Sequence, residues 1–273
     1  DCIEFNDQIA TIDVLYDLAF LLMDLWHRGF TQLANLVANR YFDQTDDEDG
    51  FALLPFFMAI RAAVRAHVTA TQIEQGSAQA SALGEEANGY FELAGQLLNT
   101  VSPRLVAIGG YSGSGKTTLA DALAPALGMP PGARIIESDR IRKAMHGVGA
   151  ETRLPADAYR PEVSEKVYCD MVRRATMVLE GGGTIVADAV FERLADRERI
   201  EMVARVRNVG FTGVWLDLPA DTLRARVAGR SGSPSDADLG VLERQLQKHP
   251  GDIAWPRLDA DSAIRLLSDG DVA

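Results

Sequence analysis

The hydrophobic positions of this chain follow a helical period up to Pro103 and a different pattern after it. In the first part, apolar residues recur every three or four positions, for example over 18–25 and 56–68, which predicts amphipathic helices. Asp17 is the expected N-cap of the first stretch, because a carboxylate can accept the N–H groups left free where a helix begins. We therefore predict an all-helical module over residues 1–100.

After Pro103, short β-rich runs alternate with longer helical stretches. The predicted strands are 105–109, 134–137, 184–188 and 214–217, and the predicted helices are 117–127, 161–180, 193–209, 222–229 and 236–247. This alternation predicts an α/β domain over 101–273, with helices covering both faces of a parallel sheet. Ligands of such sheets bind at the carboxyl ends of the strands.

Charge separates the same two parts of the chain. The net charge is −12, and residues 1–100 hold 4 basic against 15 acidic side chains, whereas residues 101–250 hold 21 against 19. An acidic surface repels polyanions, so bulk electrostatics argue against nucleic acid as a partner. The arginine-rich second part can still bind a small phosphorylated ligand.

The chain shows no targeting signal. It begins at Asp1 without an initiator Met, as an internal fragment would, and its first residues form no signal peptide. No apolar run approaches the roughly 18–20 residues of a membrane span. The two cysteines, Cys2 and Cys169, make no disulfide framework, and we expect a cytoplasmic protein without a membrane partner.

The strongest motif is the stretch 110–117, which matches the Walker A pattern G-x-x-x-x-G-K-[ST] at every fixed position. Its glycines let successive backbone N–H groups point at one anion, and the following helix N-terminus adds a positive dipole end. Lys116 is expected at the β- and γ-phosphates, with Thr117 as a ligand of Mg²⁺. The predicted nucleotide-binding residues are Gly110, Tyr111, Ser112, Gly113, Ser114, Gly115, Lys116, Thr117 and Thr118. The alternative is a glycine-rich turn, and the absence of an Asn/Thr-Lys-x-Asp motif favours ATP over GTP.

Two acidic residues follow predicted strands. Asp139 lies three residues before Arg142, so on a helix the pair shares one face. The carboxylate can accept the proton of an attacking hydroxyl and the guanidinium can hold the acceptor or the phosphoryl group, unless Asp139 is only a cap before a solvated basic helix. Asp188 ends an apolar run and is expected to hold Mg²⁺ directly or through water, or else to cap the next turn.

Residues 221–238 form a predicted lid. Arg226 and Arg230 are four apart in a helix that leads into a Gly/Ser/Pro-rich stretch. Closure over the phosphates would exclude water and bring guanidinium groups to the developing charge. The alternative is an ordinary solvated basic face.

With these motifs, residues 104–250 resemble the small-molecule and polynucleotide kinase branch of P-loop kinases, including zeta-toxin-like and chloramphenicol-phosphotransferase-like AAA family ATP-binding proteins. The resemblance implies a three-layer P-loop NTPase fold, in which Asp139 looks like the base for the acceptor hydroxyl. Function as an ATP- and Mg²⁺-dependent kinase acting on a hydroxyl of a small molecule is then expected. A toxin-like kinase for a nucleotide-sugar differs only in its acceptor.

Residues 1–98 resemble the end of the C-lobe of aminoglycoside-phosphotransferase-like kinases. Asp1-Cys-Ile-Glu-Phe is similar to the strand after their catalytic loop, and Tyr16-Asp17-Leu18-Ala19 to a D-L-A helix start. An N-lobe, a glycine-rich loop and an H-x-D-type loop are missing from the sequence, so phosphotransfer is not carried over to this part and Asp1 is read as a relic. The resemblance implies an intramolecular partner in a preceding part of a longer chain, and an alternative function as a regulatory ATPase module that controls it.

Overall fold

The computed structural model describes residues 12–74, 79–229, 235–248 and 250–268. The helices are α1 (Val14–His27), α2 (Thr31–Thr45), α3 (Leu54–Glu74), α4 (Ala80–Leu97), α5 (Lys116–Leu123), α6 (Ser138–Met145), α7 (Pro161–Glu180), α8 (Leu194–Arg207), α9 (Ala220–Ala228), α10 (Leu239–Gln247) and α11 (Ala260–Ser268). The strands are β1 (Arg104–Gly110), β2 (Arg134–Glu137), β3 (Ile185–Asp188), β4 (Gly210–Leu216) and β5 (Arg257–Leu258). Short 3₁₀ turns cover Glu48–Leu53, Ala124–Ala126 and Ala156–Tyr159. Asp1 and Arg230, both named by the sequence analysis, lie outside the described residues.

The helical part, α1 to α4, begins one turn earlier than predicted. The N-cap of α1 is Asp13, whose Oδ1 accepts the N–H of Leu15 at 2.8 Å. The prediction of Asp17 as N-cap was wrong, because the buried stripe already starts at Leu15. Asp17 lies in the first helical turn, where negative charge is still favourable, and forms an ion pair with Arg61 at 3.4 Å.

The sheet confirms the predicted α/β class. Its strands are all parallel in the order β2-β3-β1-β4-β5. On β1, Leu105 and Ala107 face the core layer with α7 and α8, while Val106 and Ile108 face the layer with α5 and α11. Helices thus cover both faces, giving three layers. The sequence analysis did not predict β5 or α11.

The helical part packs against edge strand β2. Asn35 and Asn39 of α2 donate side-chain N–H groups to the backbone carbonyl of Ala133, and Asn39 Oδ1 accepts the N–H of Ile135 at 2.7 Å. These bonds satisfy polar backbone at an edge that would otherwise invite pairing with another chain. The predicted boundary at residue 100 falls in the connection between α4 and β1, and the two-domain division stays a prediction.

Contrary to the sequence analysis, which expected no such run, one helical stretch among the described residues is long and apolar enough to meet the length and composition test for a membrane span. Glu48–Ile73 has a mean hydropathy of 1.4. Core helices of soluble proteins pass the same test, and this stretch buries Leu54, Met58 and Ala62 in the main hydrophobic core.

Candidate functional site

The loop between β1 and α5 has the backbone conformation expected for a phosphate-binding nest. Gly110, Gly113 and Gly115 have positive φ angles of 142°, 86° and 95°, which non-glycine residues rarely adopt. A Cβ on Gly110 would lie 2.8 Å from both Leu216 O and Ser114 Oγ. Only glycine fits there, so the glycines of the motif are required by local geometry.

The start of α5 can receive an anion. Gly115 is its N-cap, and in the described structure no side chain caps this helix. The first N–H groups of a helix need partners, and here they lie beside the loop together with the positive end of the helix dipole. Ser114 Oγ is buried in the loop, and among the described atoms it has no hydrogen-bond partner.

Thr117 and Asp188 are brought together by the sheet. Asp188 is opposite Ile108 in the parallel register of β1 and β3, and its Oδ2 accepts a hydrogen bond from Thr117 Oγ1 at 2.7 Å. A hydroxyl and a carboxylate are the hard oxygen donors that Mg²⁺ prefers, usually with few protein ligands. Among the described residues, no group of three or more His, Cys, Asp or Glu side chains is arranged to hold a metal.

Glu137 is a site residue that the sequence analysis missed. It ends β2 opposite Asp188, and its only earlier signal was its place at the carboxyl end of a strand, before Asp139. Burial raises the pKa of Glu137 to about 8, with the charges of Asp188 and Asp139 adding to the effect. Burial also raises the pKa of Asp188 to about 6, although Lys116 and Thr117 oppose the shift. Positive charge from a bound cation would stabilise this acidic group.

Basic groups adjoin the phosphate loop. Lys116 Nζ donates to the carbonyl of Tyr111 at 3.1 Å. The guanidinium of Arg226, on α9, lies beside the loop, since a Cβ built on Gly115 would be 3.5 Å from its Nη1. The structure therefore places Arg226 near the phosphate site, while its predicted partner Arg230 is outside the described residues.

Asp139 and Arg142 both lie on α6 but in different settings. Asp139 is half-buried in the first turn, and no hydrogen bond to it occurs in the described part of the chain. Arg142 is buried: its Nη1 donates to Ala158 O at 2.7 Å, and its guanidinium lies 4.7 Å from the ring centre of Tyr159. Its Nε is buried and has no hydrogen-bond partner among the described residues.

The segment before α10 is attached to α6 by hydrogen bonds that the sequence analysis did not predict. We call the residues that form them the latch: Asp236, Lys143, Tyr159 and the backbone of Leu154. Asp236 accepts hydrogen bonds from Lys143 Nζ at 2.7 Å, from the Tyr159 hydroxyl at 2.6 Å and from Leu154 N–H at 2.8 Å. The prediction of a helix starting at 236 was wrong, because α10 begins at Leu239. Asp238 Oδ1 caps it by accepting the N–H of Val241.

Helix α10 also contacts the phosphate loop directly. Gln245 Oε1 accepts the N–H of Ser112 at 3.0 Å, a contact between residues 133 positions apart that no local pattern indicates. The Gln245 side chain therefore accepts one of the backbone N–H groups of the phosphate loop.

Many of these groups line one cavity of about 700 Å³, a volume typical of small-molecule sites. Of the predicted site residues in the described part of the chain, Gly110, Tyr111, Ser114 and Arg226 are not among its lining residues. Its walls come from the phosphate loop, α5, α6, α7, α10 and the 235–237 segment. Thr118, Asp139, Arg142 and Asp188 all line it, together with Arg40 of α2. Predicted residues from both the nucleotide and the acceptor groups thus line one cavity, and their chemical roles stay predictions.

Known proteins resemble both the α/β part and the whole of this chain. A family model described as an AAA domain, AAA_33, matches residues 105–251. The uncharacterized proteins Mb2027c of Mycobacterium bovis and Rv2004c of Mycobacterium tuberculosis are 30% identical over 268 residues, covering 94% of this chain and 52% of the relative. This chain therefore spans about half the length of those curated relatives.

Solved structures show weaker similarity over 62% of the chain. A gluconokinase from Sinorhizobium meliloti has 21% identity, a TM-score of 0.40 and 91% of its own length covered. The APS kinase CysC of Mycobacterium tuberculosis has 14% identity, a TM-score of 0.37 and 96% of its length covered.

Proposed function

This chain belongs to the AAA_33 family of AAA domains, and we propose that it is an ATP-dependent kinase that transfers the γ-phosphoryl group of ATP to a hydroxyl of a small molecule. One observation carries the proposal. The phosphate loop, the Thr117–Asp188 pair and Asp139 line the same cavity, so a nucleotide and an acceptor can meet there.

On the nucleotide side, the loop N–H groups and the start of α5 bind the phosphates, and Lys116 contributes a positive charge to them. Thr117 and Asp188 would hold Mg²⁺, which neutralises charge on the β- and γ-phosphates when bound. Ser112 N–H must exchange Gln245 for a phosphate oxygen, or keep Gln245 while its neighbours bind the anion.

On the acceptor side, Asp139 takes the proton of the acceptor hydroxyl. The acceptor oxygen then attacks the γ-phosphorus, the bond to the β–γ bridging oxygen breaks, and ADP leaves. Asp139 suits this role because its carboxylate is not committed to a hydrogen bond within the described structure. The guanidinium of Arg142, which lines the cavity, would hold the acceptor or the phosphoryl group, while Arg226 and Arg230 would balance charge during transfer.

The experiment is an ATP-consumption assay with and without a library of hydroxylated small molecules. We expect turnover stimulated by an acceptor, and a loss of roughly 10²–10⁴-fold in Asp139→Asn, the usual range for a lost general base, with unchanged nucleotide affinity. Asp157→Asn is the matched control, because Asp157 is exposed and pairs only with nearby Arg160 in the described structure. If ATP turnover is the same with and without an acceptor, and is unchanged in Asp139→Asn, the proposed kinase function is contradicted.

A second candidate is a regulatory ATPase that controls an attached phosphotransferase-like domain. The buried hydrogen bonds between α2 and β2 favour it, because they connect the helical part to the strand that ends at Glu137. As part of this candidate, we propose that residues 1–100 derive from an aminoglycoside-phosphotransferase-like C-lobe in a longer cytoplasmic protein. The same assay separates the two functions, since a regulator hydrolyses ATP without regard to acceptor.

A further inference from the structure

We infer that Arg40, on α2 of the helical part, binds the acceptor, and that this acceptor carries an oxyanion group such as phosphate, sulfate or carboxylate. The inference rests on the proposed kinase function and adds a substrate class to it. Arg40 lies 65 positions before the family match begins at residue 105. The acceptor side of the site is then incomplete without a helix from outside the AAA domain.

The position of Arg40 is fixed by contacts along α2. Asn35 and Asn39, on the same helix, bond to the backbone at 131–135 beside β2. Both asparagines are buried, and Arg40 follows directly after Asn39. The helix therefore holds Arg40 at the cavity wall, with one third of its side chain exposed.

Arg40 belongs to a cluster of arginines that share carboxylates at this wall. Its Nη1 donates to Asp43 at 3.0 Å, but Asp43 also lies 2.9 Å from Arg134 and 3.6 Å from Arg140. One carboxylate is shared by three guanidinium groups, two of which, Arg40 and Arg140, line the cavity. Asp121 of α5 is near enough to be affected by the charges of Arg40 and Arg140. Arg134 also pairs with Glu48, and Arg140 with Glu137, so the case for a ligand rests on the free donors of Arg40 and not on an excess of positive charge.

The donors of Arg40 are largely uncommitted. In the described part of the chain, Nη1 is its hydrogen-bonding atom, so the N–H groups of Nε and Nη2 can receive a ligand. A partly exposed ion pair three residues apart on a helix contributes little stability. Helix stabilisation therefore does not account for a guanidinium at this wall, whereas recognition of an oxyanion does, since guanidinium geometry matches such groups.

Arg140 continues the same surface toward the proposed base. It lies next to Asp139 in sequence and its Nε donates to Glu137 at 2.9 Å. An acceptor with its oxyanion between Arg40 and Arg140 can extend its hydroxyl toward Asp139. The guanidinium groups also offset the repulsion between an anionic acceptor and the acidic cluster of Glu137, Asp139 and Asp188.

The test uses inorganic phosphate as the probe, titrated calorimetrically onto the full chain saturated with Mg²⁺ and the non-hydrolysable analogue AMPPNP. Filling the phosphate loop first restricts the probe to the acceptor side. We expect saturable binding that weakens about tenfold in Arg40→Met, in line with the loss of a charged hydrogen bond, and is mostly recovered in Arg40→Lys. Arg28→Met is the matched control, because Arg28 also pairs with an aspartate on its own helix but lies away from the cavity.

Each other result overturns the inference. Unchanged phosphate affinity in Arg40→Met, or no saturable binding to the loaded wild type, refutes Arg40 and its anionic acceptor while leaving the kinase proposal intact. Equal weakening of AMPPNP and phosphate shows damage to the fold instead of a lost contact, which also refutes it. If the wild type fails to bind AMPPNP, the proposed function fails and takes the inference with it.

Discussion

The two sides of the cavity are built in different ways. The centre of the phosphate side is one contiguous loop, 110–118, whose backbone conformation follows from its own glycines. The acceptor side is assembled from α2, α6, α7 and the segment 235–237, which are far apart in sequence. The proposed nucleotide binding thus starts from a locally determined loop, whereas the proposed acceptor recognition depends on tertiary structure.

The two sides also differ in how their polar groups are used. On the phosphate side, backbone N–H groups at the start of α5 remain available for an anion. On the acceptor side, most charges are already paired inside the protein, as in Lys143 with Asp236 and Arg140 with Glu137. A substitution on the phosphate side should therefore affect ligand binding, whereas one on the acceptor side should also affect stability.

The sharpest test of this difference is Lys116→Ala. We expect ATP turnover to fall about a thousandfold, the upper range for removing one preorganised group that stabilises developing charge. The melting temperature should stay close to that of the wild type, because Lys116 is half-buried at the loop and not in the core. Turnover is measured by ADP release, and Lys166→Ala, an exposed lysine on α7, is the control. Wild-type turnover in Lys116→Ala would contradict a working phosphate loop.

The same contrast explains what the sequence could predict. The phosphate loop, four strands and α7 depend on local pattern, and α7 was predicted with its observed bounds, 161–180. Strand β5 has two residues and little pattern of its own. Buried Asn35 and Asn39 look like surface residues until β2 is packed against them.

The same reason applies to the site residues. Gln245, Asp236 and Arg40 reach the cavity through contacts between residues distant in sequence. No spacing along the chain shows such contacts. Glu137 differs, because its place at the end of a predicted strand next to Asp139 was a usable signal.

A second prediction concerns the buried ion pairs that support the acceptor side. Arg134, at the start of β2, is 1% exposed and donates to Glu48 through Nε and Nη2 at 2.9 and 2.8 Å. Arg134→Met leaves buried Glu48 with Arg174 as its remaining ion-pair partner among the described residues, and we expect the free energy of unfolding to fall by about 3 kcal/mol. The measurement is urea denaturation.

The control for Arg134→Met is Arg28→Met, which removes an exposed ion pair and should change stability by no more than about 0.5 kcal/mol. If both variants behave alike, the buried network does not join the helical part to the sheet. A loss in Arg134→Met accompanied by unchanged AMPPNP affinity would show that the two sides of the cavity are energetically separable.

A third prediction tests the predicted cation site. Asp188→Asn should weaken the apparent affinity for Mg²⁺ by about 30-fold, within the range seen when groups that hold a metal are altered. The measurement is the Mg²⁺ dependence of AMPPNP binding. Asp217→Asn is a matched control, because Asp217 directly follows strand β4 but is exposed and pairs with Arg257. Equal Mg²⁺ affinities in the two variants would contradict the metal role of Asp188.

The smallest effect is expected at the latch, in Asp236→Asn. Burial alone would raise the pKa of Asp236, but hydrogen bonds from Lys143, Tyr159 and the Leu154 N–H outweigh it, so the pKa lies below its usual value. The ionised carboxylate therefore stabilises the fold. That contribution is complete above the ordinary aspartate pKa of about 4 and is lost as the pH falls through the lowered folded-state pKa.

We accordingly expect Asp236→Asn to cost about 1 kcal/mol near pH 7, because asparagine keeps the shape and can still accept a hydrogen bond. The difference from the wild type should shrink below about pH 4, where protonated Asp236 resembles the substituted side chain. Urea denaturation from pH 3 to 7 measures it, with exposed Asp221→Asn as control. A difference that does not change with pH would mean that the latch acts through packing and not through the charge of Asp236. The acceptor side would then resemble the phosphate side in holding its shape without paired charges.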